Sequence, residues 1–155
     1  MTGVQTCALP ILNLGAGNPA GFLVGQNHVF FVGTGSNSIF GMIEPQTGAP
    51  FSNASIAGTY AAGTLPPLDY ANGSNEVDVG PANGLGTLTL NGDYSQSDGL
   101  GQSLGAVVTY SIASNGRGTA EAQGDQAPGV VYVISPTKWV VLLPKTDARV
   151  LVFGH

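Results

Sequence analysis

The chain has 155 residues, enough for one ordinary domain with a real core, and 43% of them are hydrophobic while only 8% are charged. That balance excludes a disordered polar tract. A net charge of −5 with four basic residues argues against a nucleic-acid backbone or an anionic lipid surface as partner. No stretch approaches the ~18 consecutive apolar residues of a membrane-spanning helix, so membrane insertion is not expected.

In chain order, the run Thr2-Gly3-Val4-Gln5-Thr6-Cys7-Ala8-Leu9-Pro10-Ile11 resembles the in-frame translation of a sequencing-library adaptor. Residues 1–11 are therefore set apart as an artefact, with native sequence expected from Leu12 and a signal peptide lost with the native N-terminus. Cys7, the only cysteine, lies in this run, so the rest of the chain offers no disulfide, thiolate metal site or cysteine nucleophile. Residues 12–44 carry three short apolar runs: Phe22-Leu23-Val24, Val29-Phe30-Phe31-Val32 and Met42-Ile43. Residues 45–55, rich in Pro, Gly, Ser and Asn, are expected to be a linker, and 56–155 a complete domain.

Within that domain the apolar residues alternate. Ile56, Gly58, Tyr60 and Ala62 share one face, as do Leu88 with Leu90, Ala106 with Val108, Tyr110 and Ile112, and Gly118 with Ala120 and Ala122. Val77 and Val79 face one way and Glu76 and Asp78 the other, which is expected to be the solvated side. Asn-Gly pairs at 72–73, 83–84, 91–92 and 115–116 supply the positive φ of tight turns, and Ser135-Pro136-Thr137-Lys138 supplies a further one. No window shows helical spacing. Eight strands are expected, at 56–63, 75–79, 85–94, 105–113, 116–123, 129–134, 138–143 and 148–153. The fold class is thus all-β, an antiparallel up-and-down meander closing into an eight-stranded, lipocalin-like barrel; a two-sheet β-sandwich is the alternative, since it uses the same pattern.

Residues 21–44 echo 131–154 at a constant offset of 110: Phe22-Leu23-Val24 matches Tyr132-Val133-Ile134, Val29-Phe30-Phe31-Val32 matches Trp139-Val140-Val141-Leu142, Ser36-Asn37 matches Thr146-Asp147, and Met42-Ile43 matches Val152-Phe153, with no position identical. Residues 12–44 would then be the last strands of a preceding repeat. The stretches Phe40-Gly41-Met42-Ile43-Glu44-Pro45-Gln46, Gly48-Ala49-Pro50-Phe51-Ser52-Asn53-Ala54-Ser55, Tyr110-Ser111-Ile112-Ala113-Ser114-Asn115-Gly116-Arg117-Gly118-Thr119 and Val133-Ile134-Ser135-Pro136-Thr137-Lys138 resemble a family of tandem β-repeat proteins, of unknown function, from acidobacteria and related soil bacteria. The resemblance spans roughly residues 20–154 and implies repeats of about this length, exported to the cell surface or medium, with neighbouring repeats of the same chain as partners. It implies no catalytic or ligand-binding residue. Where related repeats have an acidic residue after the final aromatic, this chain ends Phe153-Gly154-His155, so the resemblance implies a second truncation point at His155.

Chemistry is thinly represented. The histidines are His28, at an expected turn, and His155, and no His/Cys metal spacing occurs, so neither metal nor cofactor is expected. Asp93-Tyr94-Ser95-Gln96-Ser97-Asp98-Gly99 is faintly like a calcium loop, but Asp98 stands where such a loop needs glycine and Leu104 where it needs glutamate, so a polar hairpin is the better description. Aromatic residues that could line a cavity are Tyr60, Tyr110, Tyr132 and Trp139, with Phe153 beside them; core filling is the commoner use of such residues. The expectation is a non-enzymatic structural or interaction repeat module, secreted or on a bacterial cell surface. The alternative is a barrel that binds a small apolar ligand.

Overall fold

The computed structural model describes residues 20–32, 40–65, 75–96, 98–124, 127–143 and 150–155. The adaptor-like run, the Asn72-Gly73 pair and the Ser36-Asn37 and Thr146-Asp147 match lie outside these residues. The chain divides into two units, residues 1–45 and 46–155.

The second unit is a closed antiparallel barrel of eight strands in simple meander order. With the first unit's three strands numbered first, its strands are β4 (Ala57–Thr64), β5 (Asn75–Asn83), β6 (Thr87–Gln96), β7 (Gly99–Ile112), β8 (Arg117–Ala122), β9 (Gly129–Ser135), β10 (Lys138–Leu142) and β11 (Val150–Gly154). β11 returns to β4 through Leu151↔Thr64, Val152↔Gly63, Phe153↔Ala62 and Gly154↔Ala61, so no strand edge of the barrel is left open. Closure rather than stacking excludes the sandwich.

Period-two alternation decides which residues enter the interior. Tyr60, Ala62, Leu88, Leu90, Tyr110, Ala120, Val131, Val133, Trp139, Val141, Leu151 and Phe153 form one buried cluster. Its centre is an aromatic layer: Trp139 stacks on Phe153 with ring centroids 3.7 Å apart, and Tyr60 meets the indole edge-on at 5.6 Å.

Three expectations need correction. Asn91-Gly92 is not a turn but lies inside β6, opposite a bulge in β7 where the ladder passes from Leu90↔Ala106 to Gly92↔Ser103. Gly105 takes φ +67° at that bulge, and its N–H donates to Asn91 Oδ1 at 2.9 Å. The bulge reverses the inward parity of β7, which is why a single alternation could be followed back only to residue 105 although the strand begins at Gly99. The faces of β5 are also the reverse of those expected: Val77 and Val79 are 61% and 50% exposed, whereas Asp78 is 7% exposed, inside the barrel.

The third correction concerns residues 45–55. From Gln46 onward this segment belongs to the barrel unit and closes one end of it. Gln46 Nε2 donates to Val133 O (2.6 Å) and Asn115 O (3.1 Å), Thr47 N–H to Ile134 O (2.9 Å) and Phe51 N–H to Ser114 O (3.0 Å). The 3₁₀ turn Asn53–Ile56 then drops Ile56 into the core, and Asn53 Oδ1 accepts the Ile112 N–H at 2.8 Å. A Pro/Gly/Asn-rich composition marks irregular backbone, and irregular backbone can cap a barrel as readily as it can link two domains.

The first unit is a three-stranded antiparallel sheet, β1 (Ala20–Gly25), β2 (His28–Val32) and β3 (Phe40–Ile43), in the order β1-β2-β3. No helix among the described residues is long and apolar enough to cross a membrane.

Candidate functional site

The barrel interior gathers aromatic, aliphatic and acidic side chains. At the capped end it is filled by the fully buried Ile56 and Tyr60. Tyr60 donates its hydroxyl to Pro136 O at 3.1 Å, Tyr110 donates to Ile56 O at 3.2 Å, and the ring of His155 closes over Tyr60 with centroids 5.3 Å apart.

Burial pushes the Tyr60 phenol above its ordinary value of 10.0, and the neighbouring Tyr110 adds to the rise. Tyr110 is likewise raised by burial, with backbone hydrogen bonds at Gly86 and Gly84 pulling the other way. A phenol with a raised folded value holds its proton more tightly in the folded chain. The stability it contributes is complete below the unfolded value, about pH 10, and is lost as pH rises through the folded value. The contribution of the two phenols to the unfolding free energy is therefore expected to be flat up to about pH 10 and to fall above it. Equilibrium urea titrations at stepped alkaline pH, run on the wild type and on the Tyr60→Phe/Tyr110→Phe variant, check this. A parallel fall in both proteins would refute the account.

Away from that end the interior opens into a cavity of about 190 Å³. Its wall is Leu88, Leu90, Ala106, Val108, Val141 and Leu151 with the aromatic faces of Tyr110, Trp139 and Phe153, and it is bounded on the far side by Glu76, Asp78 and Ser103. Asp78 reaches the interior because its ladder neighbours are small: Ala62 on β4 and Gly92 on β6. A side chain at Gly92 would occupy the space of the Asp78 carboxylate. An apolar chamber with carboxylates in its wall is a poor host for an anion. The Trp139 Nε1–H is buried without a hydrogen-bond partner.

Of the four aromatic residues proposed for the interior, Tyr110 and Trp139 line the cavity, and Tyr60 is fully buried in the capped end. Tyr132 does not belong with them: it is 46% exposed, because it alternates with the inward-facing Val131 and Val133 on β9. His28 is exposed at the start of β2, where its Nδ1 lies 3.0 Å from Gln26 O. In the calcium-like stretch, Ser97 lies outside the described residues, and Asp93 Oδ1 accepts a hydrogen bond from Gln102 at 3.3 Å.

Glu76 and Asp78 are the residues that sequence reasoning misplaced. The signal that could have placed them was parity from the Asn83-Gly84 turn, which puts Ala82, Gly80, Asp78 and Glu76 on one side. Comparison with protein-family models, curated proteins and solved structures finds nothing that matches this chain.

Proposed function

We propose that this chain is a non-catalytic structural or interaction repeat module of a secreted or cell-surface bacterial protein. The observation that carries the proposal is the correspondence of β1–β3 with β9–β11. The pairs Ala20↔Val32, Gly21↔Phe31, Phe22↔Phe30 and Leu23↔Val29 are, at an offset of 110, the pairs Val130↔Leu142, Val131↔Val141, Tyr132↔Val140 and Val133↔Trp139. Gly25↔His28 corresponds to Ser135↔Lys138 across the same ladder irregularity. All four β2–β3 pairs, Val29↔Ile43 to Val32↔Phe40, correspond to Trp139↔Phe153 to Leu142↔Val150. Any two hairpins can share a strand length. Sharing every register and a bulge, with no identical residue, is what a diverged repeat produces, because one slipped residue would turn each side chain to the wrong face.

Low charge, dense turn chemistry and the resemblance to exported tandem repeats support the surface or secreted setting. The interior supports packing over carriage: at about 190 Å³ the cavity falls short of the ~300 Å³ at which small-molecule pockets begin. For that reason we do not put forward a small apolar ligand as the main role.

The test is to append a second copy of residues 46–155 directly after His155, which keeps the 110-residue spacing because Pro45 and His155 are equivalent positions. Two barrels should form, doubling the cooperative unfolding enthalpy per chain. A second copy that stays unfolded while the first remains intact would sink the repeat reading.

A further inference from the structure

β1–β3 matches the last three of the barrel's eight strands in register, and its two faces differ. On the face equivalent to the barrel's outside, Phe22 and Val32 are 41% and 44% exposed, close to the 46% of each of their counterparts Tyr132 and Leu142. On the face equivalent to the inside, Leu23 and Ile43 are 58% and 41% exposed, whereas their counterparts Val133 and Phe153 are 1% and 2% exposed. At Phe22 and Val32 the outer face has the exposure a barrel would give it, whereas at Leu23 and Ile43 the inner face lacks its cover. Both outer strands are also edges, since among the described residues β1 and β3 each pair only with β2. Their counterparts β9 and β11 pair with β8 and β4.

We propose that the inner face and two edges of β1–β3 are a docking surface for a five-stranded antiparallel sheet patterned like β4–β8, which closes on it to complete a second barrel. This inference rests on the repeat reading and adds the partner and its register. By the offset, Phe22, Gly21 and Ala20 pair with the partner's equivalents of Arg117, Gly118 and Thr119. Gly41, Met42 and Ile43 pair with its equivalents of Thr64, Gly63 and Ala62. In one inward layer the bulk is comparable: the Phe31 ring lies over Gly41, whereas in the barrel the equivalent pair is Val141 with Leu151. A large residue against glycine replaces two of middle size, which preserves the volume of that layer. In the next, Val29 with Ile43 stands where the barrel has the larger Trp139 with Phe153. A second sheet laid on the face alone, or a single strand added to one edge, would leave an edge unpaired. Only a segment that covers the face and reaches both edges satisfies all three surfaces.

The experiment places a copy of residues 46–129 directly before Ala20, in place of residues 1–19, so that Gly129 is followed by the equivalent of Val130. Backbone hydrogen exchange of β1 and β3 is read against the unextended chain. Edge amides that exchange freely should slow by about 100-fold or more, toward the protection of β9 and β11. Leu23→Asp serves as the second variant: silent in the unextended chain, where the side chain is exposed, and abolishing the added protection in the extended one. Unchanged exchange in β1 and β3, or a Leu23→Asp effect equal in both chains, overturns the inference. If that happens while the copy appended after His155 folds, the docking surface fails and the repeat reading stands; if neither copy folds, both fail.

Discussion

Trp139→Ala is expected to cost about 3–5 kcal/mol, a large share of the ~5–15 kcal/mol that holds a domain of this size together. The indole is 1% exposed, stacked on Phe153 at 3.7 Å and met edge-on by Tyr60 at 5.6 Å, so its removal opens the aromatic layer on both sides. The layer also borders the cavity, and the void left behind would merge with an existing space that the β-scaffold cannot collapse to fill. Urea denaturation followed by far-ultraviolet circular dichroism measures the loss, since the variant has no tryptophan left to report by fluorescence. Trp139→Phe, which keeps a ring against Phe153, should retain a substantial part of the stability. A loss below about 1 kcal/mol for Trp139→Ala would show that the aromatic layer does not organise the core.

Gly92→Ala should destabilise by about 1–3 kcal/mol although it adds a single methyl group. The added carbon would fall on the carboxylate of Asp78, with the Val77 carbonyl 2.9 Å away, and strand backbone cannot retreat without breaking the β5–β6 ladder. The prediction is sharpest as a cycle. Asp78→Gly empties the space that the methyl group needs, so the double variant should recover part of the loss rather than add to it. Additive losses would mean that Gly92 is required for some reason other than room for Asp78. The same denaturation assay reads all four proteins.

Much of the architecture was legible in the chain. All eight barrel strands were expected, most within a residue or two of their ends, because alternation sustained between turn-forming pairs has few other solutions in an antiparallel sheet. The errors at β5 and at Tyr132 share one origin. Their apolar character predicts that Val77 and Val79 face inward, yet β5 is oriented by its neighbours: Ala62 and Gly92 flank Asp78 and make room for a carboxylate. Hydrophobicity indicates that a strand has two faces. It indicates which one is inside only when the strands alongside agree. Tyr132 fails by the same logic, since an aromatic ring suggests the interior whereas the parity of Val131 and Val133 turns it out.

By itself, then, the sequence determined the all-β strand content and the meander, because these depend on local backbone preference and two-residue alternation along one chain. Only the tertiary structure decided that the sheet closes, that residues 46–56 cap its end, that the bulge at Gly105 re-phases β7, and that two carboxylates stand in the cavity wall. Closure depends on β11 meeting β4 across the whole length of the domain, and burial of Asp78 on the small ladder neighbours that the adjacent strands set beside it, Ala62 on β4 and Gly92 on β6. The first joins residues at opposite ends of the domain, which no window of the chain contains together; the second depends on the strand pairing that sets Ala62 and Gly92 on either side of Asp78.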